Sequence, residues 1–333
     1  MSYKKVIITE FGGPDVMKVV EEAALPEPAA NEVRIKVQAT SACFTDTMVR
    51  KGVYFDLKEK PPLSPGYDLV GVVDKLGTDV STLKVGQTVA DLTVWGAYTE
   101  YICRAEKTLV PVPDGLDPAE AVSLVLSYVT AYQMLHRSAK VQRGQTVLIH
   151  GAGGAVGTAL LELGKLLDLK MYGTATQSKH DLITNLGGIP IDYQSEDFLE
   201  RVGEGSMDAA FDAIDMDNFK RSFKSLKKGG TFVAYGFYNN SMGKGGSVPL
   251  DYMRVKLWDM LPNGRSSTFY SIGTLHKEHL DWYREDLAAL FELLAESKIK
   301  PAIERRMKLT EAVEAHELVE QAAVKGRIVL LVD

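Results

Sequence analysis

The stretch from Val147 to Gly157, V-L-I-H-G-A-G-G-A-V-G, constrains this chain more than any other. The apolar run from Thr146 to Ile149 predicts a buried strand. It breaks into glycines, and Ala159, Leu160, Leu161 and Leu163 then open a helical pattern. A strand, a tight glycine turn and a helix in that order direct backbone N–H groups and the positive end of a helix dipole at one spot, which suits a pyrophosphate. Gly153, Gly154 and Gly157 permit unusual torsions, close approach of backbone to phosphate, and tight packing of helix on strand. A glycine turn with no ligand has the same local pattern, so the rest of the chain must decide.

At 333 residues one or two domains are expected, and 45% apolar with 25% charged residues is the composition of an ordinary globular protein. The net charge of −6 and the lack of a dense Lys/Arg stripe argue against nucleic acid or an anionic membrane surface as partner. Met1-Ser2-Tyr3-Lys4-Lys5 leads straight into a strand-like Val6-Ile7-Ile8, and no apolar stretch is long enough to span a bilayer, so a cytoplasmic location is expected. Cys43 and Cys103, the only cysteines, fit a reducing compartment and cannot build a four-cysteine zinc lobe.

Short strand signals fill the first third: Lys4 to Thr9, Met17 to Glu22, Glu32 to Ala39, Tyr67 to Leu76, Thr88 to Thr93 and Ala97 to Arg104. Proline and glycine clusters separate them, which predicts a compact, partly closed β-domain. Asp117-Pro118-Ala119-Glu120 has a cap, a proline at the first helical position and an acid three residues on, so a helix starts there. After the glycine loop strands and helices alternate. The strands are Lys170 to Ala175, Ile189 to Tyr193, Met207 to Ala213 and Thr231 to Gly236; Gly187-Gly188 and Gly229-Gly230 fall where helix C-caps are expected. This alternation predicts a parallel sheet covered on both faces. A strand-like Ser267 to Ile272, a helix from about His279 to Ser297, a strand near Ile303 to Leu309, a helix from Glu311 to Val324 and a final strand Arg327 to Val332 complete the chain, the tail reading as a return to the first domain. His276 and His279 read as a solvated helix start, and His316-Glu317 lacks the second histidine of a zinc protease.

A dinucleotide domain that prefers NAD ends its second strand in an acid about 20 residues past the loop. Here that region is Gly173-Thr174-Ala175-Thr176-Gln177-Ser178-Lys179-His180, with no acid until Asp181. Ser178 and Thr176 can donate hydrogen bonds and Lys179 can supply charge to a 2′-phosphate, which favours NADPH over NADH. Ser178 can equally cap the following helix with Asp181, and the two uses are compatible.

These residues carry a resemblance. Cys43 to Gly52, Pro65 to Val73, Ser127 to Tyr132, His150 to Gly157, Gly173 to His180, Ile191-Asp192-Tyr193 and Gly326 to Leu331 run in the order found in the zinc-independent medium-chain dehydrogenases/reductases. Within that superfamily the chain resembles the quinone oxidoreductases, or zeta-crystallin-like proteins, and the vesicle amine transport protein 1 relatives. The resemblance implies an α/β protein in which a GroES-like β-rich catalytic domain (1–122, completed by 274–333) joins a Rossmann doubly wound parallel sheet (123–273), with a cleft where they meet. It implies that Ala152, Gly153, Gly154, Ala155, Val156 and Gly157 hold the pyrophosphate, Thr174, Ser178 and Lys179 the 2′-phosphate side, and Tyr193 the adenosine phosphate region. Thr130 and the backbone at Gly236-Phe237 would face the nicotinamide. Asp46, Tyr54 and Cys43 would line the substrate side together with Thr130. Tyr193 also fits an ordinary strand-end tyrosine.

Zinc-dependent relatives place a cysteine where Cys43 stands, a histidine where Tyr67 stands, and add a cysteine-rich lobe; only the cysteine is present here. Cys43 is therefore expected as a pocket wall and not as a metal ligand. Quinone reductases often have asparagine at the position of Cys43 and tyrosine at that of Met48. Without a metal, hydride transfer suits a quinone or an α,β-unsaturated carbonyl, whose oxyanion is conjugated and can be held by hydrogen bonds. The expectation is an NADPH:quinone oxidoreductase with Tyr54, Thr45, Thr47 or water as donor. The alternatives are an alkenal or enone reductase, a zinc alcohol dehydrogenase, and a cofactor-binding adaptor with little catalysis. The strand Ser267 to Ile272 lies where relatives pair edge to edge, which predicts a homodimer.

Overall fold

The computed structural model describes residues 1–332. They fall into two units, Met1–Val129 together with the tail from His276 onward, and Thr130–Leu275.

The first unit is built on the strand Glu32–Ala42, which alternates fully buried Val33, Ile35 and Val37 with outward Arg34 and Lys36. It pairs antiparallel with Leu69–Leu76, with Tyr101–Ala105 and with the tail strand Arg327–Leu331, so residues from both ends of the chain share one seven-stranded sheet. Ala97 to Glu100, expected to be strand, is drawn away instead: Ala97 N–H and Tyr98 N–H donate to Gly66 O and Pro65 O. The helix Pro118–Ser123 starts as expected, the Asp117 carboxylate accepting from Glu120 N–H at 3.0 Å, and continues into widened π-type turns at Leu124–Tyr128. His279 does stand at a helix start, as the N-cap of Leu280–Ala295, and His276 lies in the last turn of the helix before it, but neither ring stands free in solvent. His276 packs edge-on against Tyr283 with ring centres 4.6 Å apart, and His279 stacks on Trp282 at 4.0 Å.

The second unit is a six-stranded parallel sheet in the spatial order Gly188–Asp192, Lys170–Ala175, Thr146–His150, Met207–Asp212, Leu226–Ala234, Ser266–Phe269. Counted in chain order within the unit this is the 3-2-1-4-5-6 arrangement of a Rossmann fold, whose order reverses beside Thr146–His150. Gly187, at φ +85, ends the helix His180–Asn185 and donates to Thr184 O, as a C-cap glycine should. Gly229-Gly230 behaves differently. The helix Met216–Ser225 ends directly at Leu226, and both glycines lie inside the strand, where the register slips between Met207 and Ala209. They form a bulge, not a cap. The expected strand Ser267 to Ile272 is Ser266–Phe269, because a helix already begins at Ile272. Among the described residues no helix is long and apolar enough to cross a membrane.

The glycine loop has the required shape. Gly151 adopts φ +66, and a Cβ on Gly157 would stand 2.3 Å from Gly151 O and 2.5 Å from Ala152 Cα, so the helix Ala155–Leu166 can lie against the end of its strand only if residue 157 is glycine. Gly157→Ala should therefore cost about 1–3 kcal/mol as an overpacked contact. A denaturant melt indistinguishable from that of the unchanged chain would contradict it.

Candidate functional site

In the parallel-sheet unit, Gly154 caps the helix Ala155–Leu166 and donates to Gly151 O at 3.0 Å. The first N–H groups of this helix project from its positive end. The side chain of Lys179 crosses the loop: a Cβ on Gly153 would meet its Cδ at 2.5 Å and its Cβ at 2.9 Å. Lys179 thus reaches the glycine turn from the end of the second strand. The Ser178 and Thr176 hydroxyls are exposed and lie 3.1 Å apart, so Ser178 is not the helix cap that the sequence also allowed. Tyr193 is 59% exposed, and its N–H donates to Ala175 O.

Other expected residues lie deeper. Thr174 is buried behind the turn, and Ala152 N–H donates to its carbonyl. Phe237 stacks on Phe269 at 5.2 Å within the aromatic core, which leaves only its backbone for a ligand; a Cβ on the neighbouring Gly236 would be 3.0 Å from Ala213 Cβ. Thr130 is 5% exposed on the helix Val129–Gln133.

Sequence reading missed a buried polar chain beneath the turn. Asp212 Oδ2 accepts from Ser222 Oγ at 2.7 Å and Asn218 Nδ2 at 2.8 Å, while Oδ1 accepts from Ile214 N–H at 2.9 Å. With its proton directed at Asp212, Ser222 Oγ can only accept from His150 Nε2 at 2.9 Å. His150 Nδ1 must then accept from Thr174 Oγ1 at 3.0 Å, and that oxygen accepts in turn from Gly151 N–H at 3.4 Å. Burial holds the His150 pKa below its ordinary value, consistent with this neutral tautomer. The chain fixes the ends of three strands around the glycine turn. Its signal in the sequence was a histidine immediately before the loop and an aspartate closing the fourth strand.

In the first unit, Cys43 caps the helix Phe44–Arg50, and Asp46 lies beneath it, fully buried. Asp46 Oδ2 accepts from Cys43 N–H at 3.0 Å, from the Cys43 thiol at 2.9 Å and from Tyr98 Oη at 3.4 Å; Oδ1 accepts from Gly66 N–H at 3.0 Å. Asp46, expected on the substrate side, is fully buried, and its oxygens already have these donors. Burial pushes its pKa up to about 7, and burial with the nearby Asp46 charge pushes the Cys43 thiol well above its ordinary range. Cys43 is thus a thiol held against Asp46.

Tyr54 and Tyr67 face each other with hydroxyl oxygens 2.7 Å apart and rings edge-to-face at 84°. Both are buried, and burial raises both phenols, Tyr54 to about 12 and Tyr67 well above its ordinary range. Behind them Tyr98 Oη lies 3.1 Å from His316 Nε2, and His316 Nδ1 lies 3.3 Å from Arg50 Nη1. Arginine only donates, so His316 Nδ1 accepts and Nε2–H donates to Tyr98. Burial and the Arg50 charge push His316 down to about 3, which keeps it neutral. Arg50 is itself fully buried and pairs with Glu320 at 2.5 Å. His316 joins residues far apart in sequence, and local pattern gave no sign of it.

Among the described residues no group of three or more His, Cys, Asp or Glu side chains is gathered to hold a metal. Cys43 is directed at Asp46, and Tyr67 offers a phenol where zinc-dependent relatives have imidazole. The donor set does not fit a zinc ion.

A family model described as "Zinc-binding dehydrogenase" matches residues 186–330, and "Alcohol dehydrogenase GroES-like domain" matches 29–114. The chain is 29% identical to the synaptic vesicle membrane protein VAT-1 homolog of Danio rerio, over 99% of this chain and 70% of that protein. It is 30% identical to the quinone oxidoreductase of Lama guanicoe, over 98% of this chain and 97% of that protein. The crystal structure of Escherichia coli quinone oxidoreductase complexed with NADPH superimposes with a TM-score of 0.87 at 26% identity, covering 98% of this chain and 99% of the other.

Asp46 gives a pH prediction. Its folded pKa of about 7 exceeds the ordinary 3.8, so the folded chain holds the proton more tightly than the unfolded chain does. The stability it contributes is present below about pH 4 and is lost as pH rises through about 7. Asp68, raised to about 6, has the same sign and stays in both proteins. Denaturant unfolding should show the unchanged chain losing stability relative to Asp46→Asn across that window, and a difference independent of pH would refute the assignment.

Proposed function

The chain belongs to the quinone oxidoreductase family of the medium-chain dehydrogenases/reductases, and from that premise we propose that it reduces a quinone with NADPH and without zinc. The observation that carries this reading is the Tyr54–Tyr67 phenol pair, which stands at 2.7 Å where a zinc enzyme needs an imidazole ligand. Phenols can support an oxyanion whose charge is spread by conjugation; a localised alkoxide calls for a stronger Lewis acid. NADPH, when bound, supplies the hydride.

The protein's own residues bind, orient and donate. The N–H groups of Ala152 to Gly157 and the positive end of the helix Ala155–Leu166 receive the pyrophosphate. Lys179, lying across Gly153, and the paired hydroxyls of Ser178 and Thr176 receive a 2′-phosphate, while Tyr193 packs on the adenosine side. Thr174 supports the turn from behind. Thr130 and the backbone at Gly236-Phe237 orient the nicotinamide. Tyr54 donates a hydrogen bond to the acceptor oxygen, with Cys43 as wall. The same donor serves an α,β-unsaturated carbonyl, so an enone is the second acceptor to test. A cytoplasmic location fits the two free cysteines.

The partner we propose is a second copy of the chain. Ser266–Phe269 is the open edge of the six-stranded sheet, and the preceding segment exposes Leu250, Met253, Leu257, Met260 and Leu261, with Tyr252 against Phe269. Pairing two such edges would cover the apolar residues and the free backbone groups together. Light scattering at micromolar concentration should give twice the chain mass, and Leu257→Glu should lower it; a monomer in the unchanged protein would overturn the dimer.

NADPH oxidation followed optically with a 1,2-quinone and with an enone, in the presence of chelator and repeated with NADH, tests the activity. Turnover that survives chelation and prefers NADPH supports the reading, and loss of turnover on chelation overturns it. NADPH binding without turnover of either acceptor would favour an adaptor. Lys179→Ala should weaken NADPH binding by about tenfold or more while leaving NADH unchanged, the loss of a charge-assisted hydrogen bond. Equal weakening for both nucleotides would remove the 2′-phosphate assignment.

A further inference from the structure

The Tyr54–Tyr67 pair brings two hydroxyl protons to one hydrogen bond. Among the described residues each hydroxyl has the other as its hydrogen-bond partner, at 2.7 Å. One phenol proton lies between the two oxygens, and the second points away from the pair with no acceptor in the protein. The geometry says which phenol is which. Tyr67 is the fixed member: its carbonyl accepts from Val94 N–H at 3.1 Å, Gly66 N–H before it is held by Asp46 at 3.0 Å, and Gly66 O accepts from Thr93 Oγ1 at 2.7 Å. Gly66 is itself locked, at φ +109, where a Cβ would stand 2.7 Å from Tyr98 N. Tyr67 is 2% exposed. Tyr54 is the outer member, 8% exposed, on the turn that leaves the helix Phe44–Arg50, beside the 70% exposed Phe55.

We infer that Tyr67 is a positioning residue for the reduction: its phenol donates to Tyr54 Oη, which turns the Tyr54 proton outward and makes Tyr54 the stronger donor to the acceptor oxygen. The inference rests on the reading above that Tyr54 faces the acceptor. A hydroxyl that accepts a hydrogen bond is polarised and donates a stronger one, so the pair acts as a unit. The edge-to-face packing at 84° holds the Tyr54 ring in the orientation this needs. Burial raises both phenols, so each keeps its proton and can donate, and the order of the pair is set by the outer position of Tyr54. A metal ligand at residue 67 would point a lone pair at an ion; here residue 67 points a proton at a second phenol.

A double-mutant cycle tests this, with kcat and KM measured in chelator for the unchanged protein, Tyr54→Phe, Tyr67→Phe and the double variant. Removing the outer donor should lower kcat about tenfold or more, and removing the inner one about threefold to tenfold, with KM for NADPH unchanged. The double variant should be no slower than Tyr54→Phe alone, since Tyr67 acts only through Tyr54. Full kcat in Tyr67→Phe alongside a slow Tyr54→Phe overturns the inference and leaves the reading of Tyr54 standing. Unchanged kcat in Tyr54→Phe overturns that reading itself. Losses that multiply in the double variant mean independent roles and also overturn the inference. A measurement on the unchanged protein removes dependence on how the variants fold. With ζ-carbon-labelled tyrosine, the phenol proton assigned to Tyr67 should exchange slowly with water and resonate downfield. Fast exchange at Tyr67 would overturn the pairing.

Discussion

Four donors converge on the carboxylate of Asp46, and much of the first unit's geometry depends on their meeting there. The Cys43 N–H and thiol begin a helix, the Gly66 N–H fixes the turn before Tyr67, and Tyr98 Oη links the group to His316 and Arg50. A buried carboxylate is tolerable only with such donors around it. Because arginine cannot accept, the direction of each bond from Arg50 through His316 to Tyr98 is set, and the Tyr98 hydroxyl is left to donate to Ser41 O at 3.3 Å or Asp46 at 3.4 Å; the neutral His316 transmits that direction without changing charge. The result is a stiff floor under the two phenols.

The second unit solves a similar problem with backbone. The absent side chain of Gly157 lets a helix end approach its strand, and the absent side chain of Gly153 leaves room for Lys179. Below the turn another buried carboxyl group, Asp212, orders Ser222, His150 and Thr174 into a single-direction chain that ends on Gly151 N–H. In both units a buried aspartate sets the polarity of neutral groups, and those groups hold a turn in place. This is electrostatic preorganisation built from hydrogen-bond counting, with few ion pairs in the interior.

Features with a local cause were legible in the sequence. The glycine loop, the strands Met17–Glu22 and Lys170–Ala175, the Asp117 cap and the Gly187 helix stop each follow from periodicity, capping chemistry or a positive φ within a few residues. What escaped depends on distant partners. Gly229-Gly230 looked like a cap because bulges and caps use the same residue, and only pairing with Met207–Asp212 separates the two. His276 and His279 looked solvated because their aromatic neighbours come later, on the following helix. The resemblance puts Asp46 on the substrate side, and its burial cannot be read from sequence without the Gly66 turn and Tyr98. Arg50 and His316 are 266 residues apart, beyond any motif.

The closing of the first sheet by Arg327–Leu331 bears on the order in which the chain takes shape during synthesis. Thr130–Leu275 is contiguous and can fold as soon as it leaves the ribosome. The strand Glu32–Ala42, made much earlier, is paired by Tyr101–Ala105 over its first half, but its Ala39–Ala42 end stays open on that side until Arg327–Leu331 arrives, and His316 reaches Tyr98 late as well. During that interval the nascent chain presents a short open strand edge, the state in which helper proteins that shield strands act. The nucleotide half is finished while the phenol half still waits for its last strand.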